Sequence, residues 1–175
     1  LRTYSFDPPC ISLGYHQKAE KVLDREAVSE SSIDLVRRIT GGRALLHQDE
    51  FTYCITASSG GGSFGKGLGE CFLRVAEVLI EALKTLGVEA ELTGGRRDET
   101  HSGPVSPCLA SVSRYEITAG GRKIVGSAQR RWGDLFLQHG SILLGQGSSR
   151  IGRFLPGGWS GLGDLITSVS EQTGS

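Results

Sequence analysis

The chain of 175 residues is 38% hydrophobic, which is enough to bury one core, so we expect a single domain over residues 1–175. Basic and acidic residues are balanced at 19 each, which argues against a net field that would recruit nucleic acid or an anionic membrane. No stretch approaches the roughly 20 apolar residues that cross a membrane, and the first residues lack signal-peptide character, so we expect neither a membrane span nor secretion.

Short runs of β-type composition, separated by glycine-rich turns, predict a sheet that is mixed or mostly antiparallel. The runs are residues 10–13, 33–36, 51–57, 114–118, 123–128 and 135–144. A modest helix is predicted over 18–29 and a strong one over 69–86, where apolar residues recur at helical spacing and Gly87 offers a stop. The stronger helix should cover one face of the sheet.

Two regions lack a clear periodic pattern. Residues 93–107 form a long aperiodic stretch that ends at Cys108, and such stretches are often functional when they are ordered. From residue 145 onward the chain is rich in Gly and Ser, with one short helix predicted over 163–169. We expect this last region to be peripheral.

The segment 37–47, RRITGGRALLH, follows a predicted strand. Its paired glycines, Gly41 and Gly42, would let the backbone approach a ligand that any Cβ would exclude, and exposed amides there could cradle a carbonyl or phosphate oxygen. By itself a Gly-Gly turn between strands is usually only a turn. Support has to come from elsewhere in the chain.

Two further blocks supply it: ISLGYHQ at 11–17, and KIVGSAQ at 123–129 with its sequel LQHGSIL at 137–143. In this order, the three blocks resemble the biotin and lipoate protein ligase and acyltransferase superfamily over residues 1 to about 144. The resemblance implies an α/β (α+β) fold with a mixed, mostly antiparallel sheet and helices packed on its outer face. It also implies an acyl tunnel that ends near Lys123, with Gly41, Gly42, Gly126 and Ser127 as pocket backbone.

Two branches of this superfamily differ in chemistry, because ligases activate free lipoate with ATP whereas transferases accept an acyl group from a carrier thioester. Arg43 stands where the ligases usually have a third glycine. Asp49, Glu50 and Thr52 replace the glycine and asparagine expected of a ligase. The pattern resembles the transferases, so we expect no cofactor.

The predicted nucleophile is Cys108, which lies fifteen residues before Lys123. This order resembles octanoyltransferases of the cysteine-before-lysine type, in which that cysteine carries the acyl group and that lysine assists it. A free thiol with a pKa of about 8.5 is mostly protonated at neutral pH, and a nearby ammonium favours the thiolate. The alternatives are an incidental thiol and a lysine exposed at a strand edge.

The other cysteines, Cys10, Cys54 and Cys71, are expected to be buried or incidental thiols. The four cysteines show no metal-ligand spacing, and the chain is too large to need a disulfide framework. We therefore predict no metal site and a reducing, cytoplasmic location.

Four further side chains are candidates for the substrate site. His47 and His139 could each act as the base that deprotonates a target lysine, or could be hydrogen-bonded structural residues. Arg37 and Arg38 could pair with acidic groups of the fold or of a carrier protein, or could be solvated. Sequence alone leaves these alternatives open.

The resulting hypothesis is octanoyl transfer from acyl carrier protein to a lysine of a lipoyl domain or glycine-cleavage H protein, through a thioester on Cys108. Both partners are acidic in this family, and residues 93–153 carry nine basic and four acidic side chains that could form a docking face. The alternatives are an ATP-dependent lipoate ligase, an amidotransferase between two carrier domains, and a non-catalytic acyl-binding fragment. The last arises because family members usually have additional N-terminal and C-terminal segments.

Overall fold

The structure is a computed structural model that describes residues 1–58, 64, 67–93 and 115–175. Its strands, in chain order, are β1 (Arg2–Tyr4), β2 (Cys10–Leu13), β3 (Asp34–Arg37), β4 (Leu45–His47), β5 (Glu50–Ser58), β6 (Ala90–Leu92), β7 (Ile117–Ala119), β8 (Arg122–Trp132) and β9 (Leu135–Leu143).

These strands form two sheets in the described part of the chain. The larger has six strands in the order β1-β5-β9-β8-β7-β6, and each neighbouring pair is antiparallel. The smaller has the order β3-β2-β4, with β2 parallel to β3 and antiparallel to β4. The predicted mixed, mostly antiparallel α/β class is therefore confirmed.

One long helix, α3 (Leu68–Thr85), covers the larger sheet, as its apolar spacing predicts. Val75, Ala76 and Leu83 from this helix are buried in one cluster with Tyr53 and Val125 from the sheet. The Glu70 carboxylate accepts the backbone N–H of Gly67 at 3.2 Å at the start of the helix. This helix and the larger sheet thus share one hydrophobic cluster.

The smaller sheet packs in a second cluster with the C-terminal region, which the sequence wrongly indicated to be peripheral. A 3₁₀ helix (Gly147–Phe154) and the segment after it bury apolar side chains against β2, β4 and β9. The buried residues of this region are Ile151, Phe154, Leu155, Leu162 and Ile166. The region is rich in Gly and Ser, and this composition was misread as that of a peripheral tail although its few apolar residues belong to the core.

The helix predicted over 163–169 is also wrong in detail. The structure has α4 (Leu162–Leu165) and α5 (Val169–Thr173), with an extended segment between them. Ile166 forms a parallel bridge with Lys123, and the Thr167 N–H donates to the Lys123 carbonyl at 2.9 Å. Pairing with β8 satisfies backbone groups that the predicted helix would have satisfied internally.

The helix predicted over 18–29 is two short helices, α1 (Ala19–Val22) and α2 (Arg25–Ser29). Asp24 separates them, because its carboxylate accepts the N–H groups of Glu26 and Ala27, both at 3.1 Å, and so caps α2. The Asp24 N–H itself donates to the Phe154 carbonyl at 2.8 Å. A strong N-cap inside the periodic stretch therefore ends one helix and starts another.

Strands β4 and β6, which have three residues each, were not predicted, since so short a segment carries little alternation. The run predicted over 114–118 corresponds to β7, and Arg114 lies outside the described residues. None of the described helices is long and apolar enough to cross a membrane.

Candidate active site

A narrow cleft lies where the two sheets meet, and its walls bring together residues from distant parts of the sequence. The smaller sheet and the loop after β3 contribute Ser12, Arg38, Leu45 and His47, and the larger sheet contributes Thr52, Gly126, Ser127, Ala128, His139, Gly140 and Ser141. All three sequence blocks therefore reach one site. Of the predicted substrate-site residues, Arg38, His47, Gly126, Ser127 and His139 line it.

The glycine-rich loop supports the cleft through Arg38. Its guanidinium donates to the Ser12 carbonyl at 2.8 Å, to the Gly41 carbonyl at 3.1 Å and to the Arg43 carbonyl at 2.6 Å. Gly42 has φ +93°, and a Cβ there would lie 2.8 Å from Arg38 Nη2. Gly42 is therefore required for the close approach of the guanidinium. The prediction that Gly41 and Gly42 form pocket backbone is wrong, because neither is among the described residues that line the cleft.

Both arginines of the motif donate to backbone carbonyls, so neither is merely solvated, although Arg37 remains exposed. Arg37 Nη1 donates to the carbonyls of Gly14, Tyr15 and Gln17 at 3.0, 3.2 and 2.5 Å. An arginine has five N–H donors in a rigid fork, so it can fasten a loop whose carbonyls point inward. The pair thus joins the ISLGYHQ block to the RRITGG block.

A buried hydrogen-bonded chain runs from Ser12 through His47 to Glu50. Ser12 Oγ lies 2.7 Å from His47 Nε2, and His47 Nδ1 lies 2.6 Å from Glu50 Oε1. Thr52 Oγ1 donates to the same carboxylate oxygen at 2.5 Å, and Phe6 stacks on the imidazole with ring centroids 4.2 Å apart. His47 is only 6% exposed, so its orientation is set by these contacts.

His139 faces the cleft from β9 and is held differently. Its Nε2 lies 2.6 Å from Thr40 Oγ1, which ties the glycine-rich loop to the larger sheet. Burial of the ring, together with the charges of Arg38 and His47, lowers the pKa of His139 from 6.5 to about 4. The imidazole is consequently neutral at pH 7 and suits a hydrogen-bonding role better than proton uptake.

Lys123 is buried, with 1% of its surface exposed, so it is not a lysine at an exposed strand edge. Its Nζ donates to Glu116 Oε1 at 2.7 Å, and Glu116 is 7% exposed. The backbone of Glu116 is in turn fixed by Thr93, whose N–H and hydroxyl donate to the Glu116 carbonyl at 2.9 and 2.7 Å. Lys123 is thus a fixed positive charge three residues along β8 from Gly126.

Cys108, the predicted nucleophile, lies outside the described residues. Among the cysteines that are described, burial raises the pKa of Cys10 to about 11 and also raises the pKa of Cys54. Cys71 is fully buried. The raised pKa values of Cys10 and Cys54 disfavour the thiolate that a nucleophile needs, and Cys71 is shielded from any substrate by burial.

Three of the buried partners were not identified as site residues from the sequence: Ser12, Glu50 and Glu116. Ser12 lies in a recognised block, and Glu50 was noted only as a departure from the ligase pattern. Glu50 follows His47 by three residues across the turn between β4 and β5, a spacing that could have indicated the contact. For Glu116 no sequence signal existed, since its contact with Lys123 depends on the pairing of β7 with β8.

Within the described residues, no group of three or more His, Cys, Asp or Glu side chains is arranged to hold a metal ion. The polar groups of the cleft are bonded to one another instead. Its chemistry is that of hydroxyl, imidazole and guanidinium groups around a neutral wall of glycine and alanine.

The model of the lipoyl protein ligase A/B catalytic domain matches residues 1–174. The chain belongs to this family. Among its relatives, octanoyltransferase LipM of Moorella thermoacetica is 48% identical over 144 residues, which cover 82% of this chain and 53% of that protein. Octanoyltransferase LipM of Carboxydothermus hydrogenoformans is 39% identical over 155 residues, which cover 89% of this chain and 56% of that protein. The chain thus spans about half the length of the curated relatives it matches.

Solved structures show the same fold. Lipoate-protein ligase A bound with ATP superposes with a TM-score of 0.73 at 22% identity, over 93% of this chain and 60% of that one. A bipartite lipoate protein ligase of Thermoplasma acidophilum, described with its E2 lipoyl domain, gives a TM-score of 0.72 at 19% identity, over 97% of this chain and 61% of that one. The family membership and the fold agree with the resemblance read from the three blocks.

Proposed function

We propose that this domain transfers an octanoyl group from the thioester of an acyl carrier protein to a lysine of a lipoyl domain or glycine-cleavage H protein. The observation that carries the proposal is the cleft itself, where the three blocks of a lipoyl ligase A/B domain meet beside Gly126 and Ala128. Relatives named octanoyltransferase, at up to 48% identity, support octanoyl as the acyl group. Because a carrier thioester is already activated, the reaction needs no ATP.

The proposed reaction has two steps. The Cys108 thiolate attacks the carrier thioester, so that a new C–S bond forms on Cys108 and the carrier thiol leaves. The amine of the target lysine then attacks the acyl-Cys108 carbonyl, an amide bond forms, and the Cys108 thiol is released. Lys123, held in place by Glu116, would supply the positive charge that favours the thiolate.

Two observations support the choice of partners: the charge of this chain and the partner named with a structural neighbour. The nine basic side chains between residues 93 and 153 outnumber four acidic ones, which would favour docking of acidic carrier domains. A lipoyl domain is also the partner named with the archaeal neighbour. A nucleophilic thiol needs a reducing compartment such as the cytoplasm.

The test is intact-mass measurement after mixing the protein with octanoyl-carrier protein. We expect one octanoyl adduct on the wild type, released when a lipoyl domain is added, and no adduct on Cys108→Ala. Cys54→Ala is the matched control and should load as the wild type does. No adduct on the wild type, or an adduct retained by Cys108→Ala, would contradict the proposal. Pyrophosphate release from ATP and free lipoate would indicate a ligase instead.

A further inference from the structure

The chain of hydrogen bonds from Ser12 to Glu50 has a defined direction. An ionised carboxylate can only accept hydrogen bonds, so with Glu50 ionised its Oε1 accepts both the Thr52 hydroxyl and the His47 Nδ1–H. In the neutral imidazole, Nε2 is then the unprotonated nitrogen, and it accepts the Ser12 hydroxyl at 2.7 Å. This tautomer leaves His47 ready to take up a proton from Ser12.

Arg38 fixes the hydroxyl from the other side. Its Nη1 donates to Ser12 Oγ at 3.0 Å, so one lone pair of that oxygen is occupied and the hydroxyl hydrogen is free only to point at His47. A serine oxygen has a second lone pair. Because Ser12 lines the cleft, that lone pair can accept a proton from a bound substrate.

The burial of Glu50 favours a positive charge on the neighbouring imidazole. Glu50 is 7% exposed, and its second oxygen, Oε2, has no hydrogen-bond partner among the described residues. A carboxylate with so little solvation is costly unless a positive charge can form beside it. Protonation of His47 would supply that charge at 2.6 Å.

His139 does not offer an equivalent arrangement, although it faces the same cleft. Its partner is the neutral Thr40 hydroxyl, and the guanidinium of Arg38 opposes a second positive charge there. Of the two histidines weighed as bases from the sequence, His47 alone is hydrogen-bonded to a carboxylate of the described residues.

We infer that Ser12, His47 and Glu50 form the proton relay for the amide-forming step, with the Ser12 hydroxyl as the catalytic group that touches the substrate. The inference rests on the proposed acyl transfer. As the lysine nitrogen bonds to the acyl carbon, its proton passes to Ser12 Oγ while the Ser12 proton passes to His47 Nε2. Glu50 stabilises the resulting imidazolium. When the C–S bond breaks, the proton returns through Ser12 to the departing thiolate, so the products are an amide and a thiol.

The relay predicts that its loss affects one half-reaction only. Loading of the nucleophile from octanoyl-carrier protein should stay within about twofold of wild type in Ser12→Ala and Glu50→Gln. Transfer from the acyl-enzyme to a lipoyl-domain lysine should fall about a hundredfold in both, the range of a lost general base. Transfer to hydroxylamine should remain near wild type, because its less basic nitrogen, once added to the carbonyl, loses its proton readily to water without the relay.

The experiment is rapid mixing with intact-mass readout of both half-reactions in the purified protein. Ser168→Ala is the matched control, because Ser168 is buried and hydrogen-bonded but belongs to the cap of α5 and not to the cleft. It should keep wild-type rates in every assay. Two variants at opposite ends of the relay keep the test decisive if one of them folds poorly.

Three other results would overturn the relay, and the measurements distinguish them. A wild type that never loads overturns the proposed function and the relay with it. Normal loading with wild-type transfer to lysine in both variants overturns the relay and leaves the proposed function standing. Equal losses in loading and with both acceptors would show a purely structural role for Ser12 and Glu50, which also overturns the relay.

Discussion

Two buried polar centres of the described structure differ in kind. One is the hydrogen-bonded chain of Ser12, His47 and Glu50, whose hydroxyl end reaches the cleft. The other is the Lys123–Glu116 ion pair at 2.7 Å, which joins two opposite charges away from solvent. In the proposed relay the first centre passes a proton between its groups, whereas the second holds two charges that are costly to separate. One centre is thus suited to proton transfer and the other to holding a positive charge in place.

The largest expected effect on stability comes from breaking the buried ion pair of Lys123 and Glu116. Lys123→Met leaves Glu116 buried without its cation and should lower the free energy of unfolding by about 3–5 kcal/mol. The double variant Glu116→Gln with Lys123→Met should recover most of that loss, because no buried charge is then left uncompensated. Urea denaturation measures the free energy of unfolding of both variants.

Lys84→Met is the control for this comparison, since Lys84 pairs with Glu81 at 2.9 Å but both side chains are exposed. Solvent screens such a pair, so its urea midpoint should stay at the wild-type value. If Lys123→Met is no less stable than Lys84→Met, the buried pair does not stabilise the fold as described.

A smaller effect should appear in the pH dependence of stability through His139. Its pKa is about 4 in the folded protein, against about 6.5 for an unperturbed histidine, so the unfolded chain takes up a proton first as pH falls. The contribution to stability is therefore complete above about pH 7 and is lost between about pH 6.5 and 4. It should amount to about 2 kcal/mol between pH 7 and pH 5.

The measurement is urea unfolding of wild type and His139→Gln across that range. The two curves should run parallel above pH 7, and only the wild type should show the additional loss below it. A variant whose stability falls with pH as steeply as the wild type would remove His139 as the cause.

The smallest expected effect on stability comes from the glycine-rich loop, whose conformation lets Arg38 reach Ser12. Gly42→Ala combines a positive φ with a Cβ 2.8 Å from Arg38 Nη2, whereas Gly87→Ala has a positive φ and no described atom within 4 Å. Gly42→Ala should be less stable than Gly87→Ala by about 1 kcal/mol, since only it displaces the guanidinium from Ser12. Thermal unfolding of the pair measures the difference, and equal losses would mean that backbone strain alone is at work.

The parts of the fold that were predictable are those with a local pattern. Helix α3 repeats apolar residues at 3.6-residue spacing, and strands β5, β8 and β9 have enough β-type residues to be recognised. The three blocks indicated the family, and most of their candidate residues line one cleft. The Gly-Gly pair had a different role from the expected one, because it makes room for Arg38 rather than lining the cleft.

The sequence by itself determined the family, the sheet class and most of the candidate residues that line the cleft, because each of these is recorded in short motifs or in periodic spacing. Only the tertiary structure decided what those residues contact: that Ser12 is hydrogen-bonded to His47, that Glu116 pairs with Lys123, and that Ile151 and Ile166 belong to the core. The physical reason is that these contacts join separate strands and helices. Their formation depends on register and on how the two sheets pack, which no local pattern encodes.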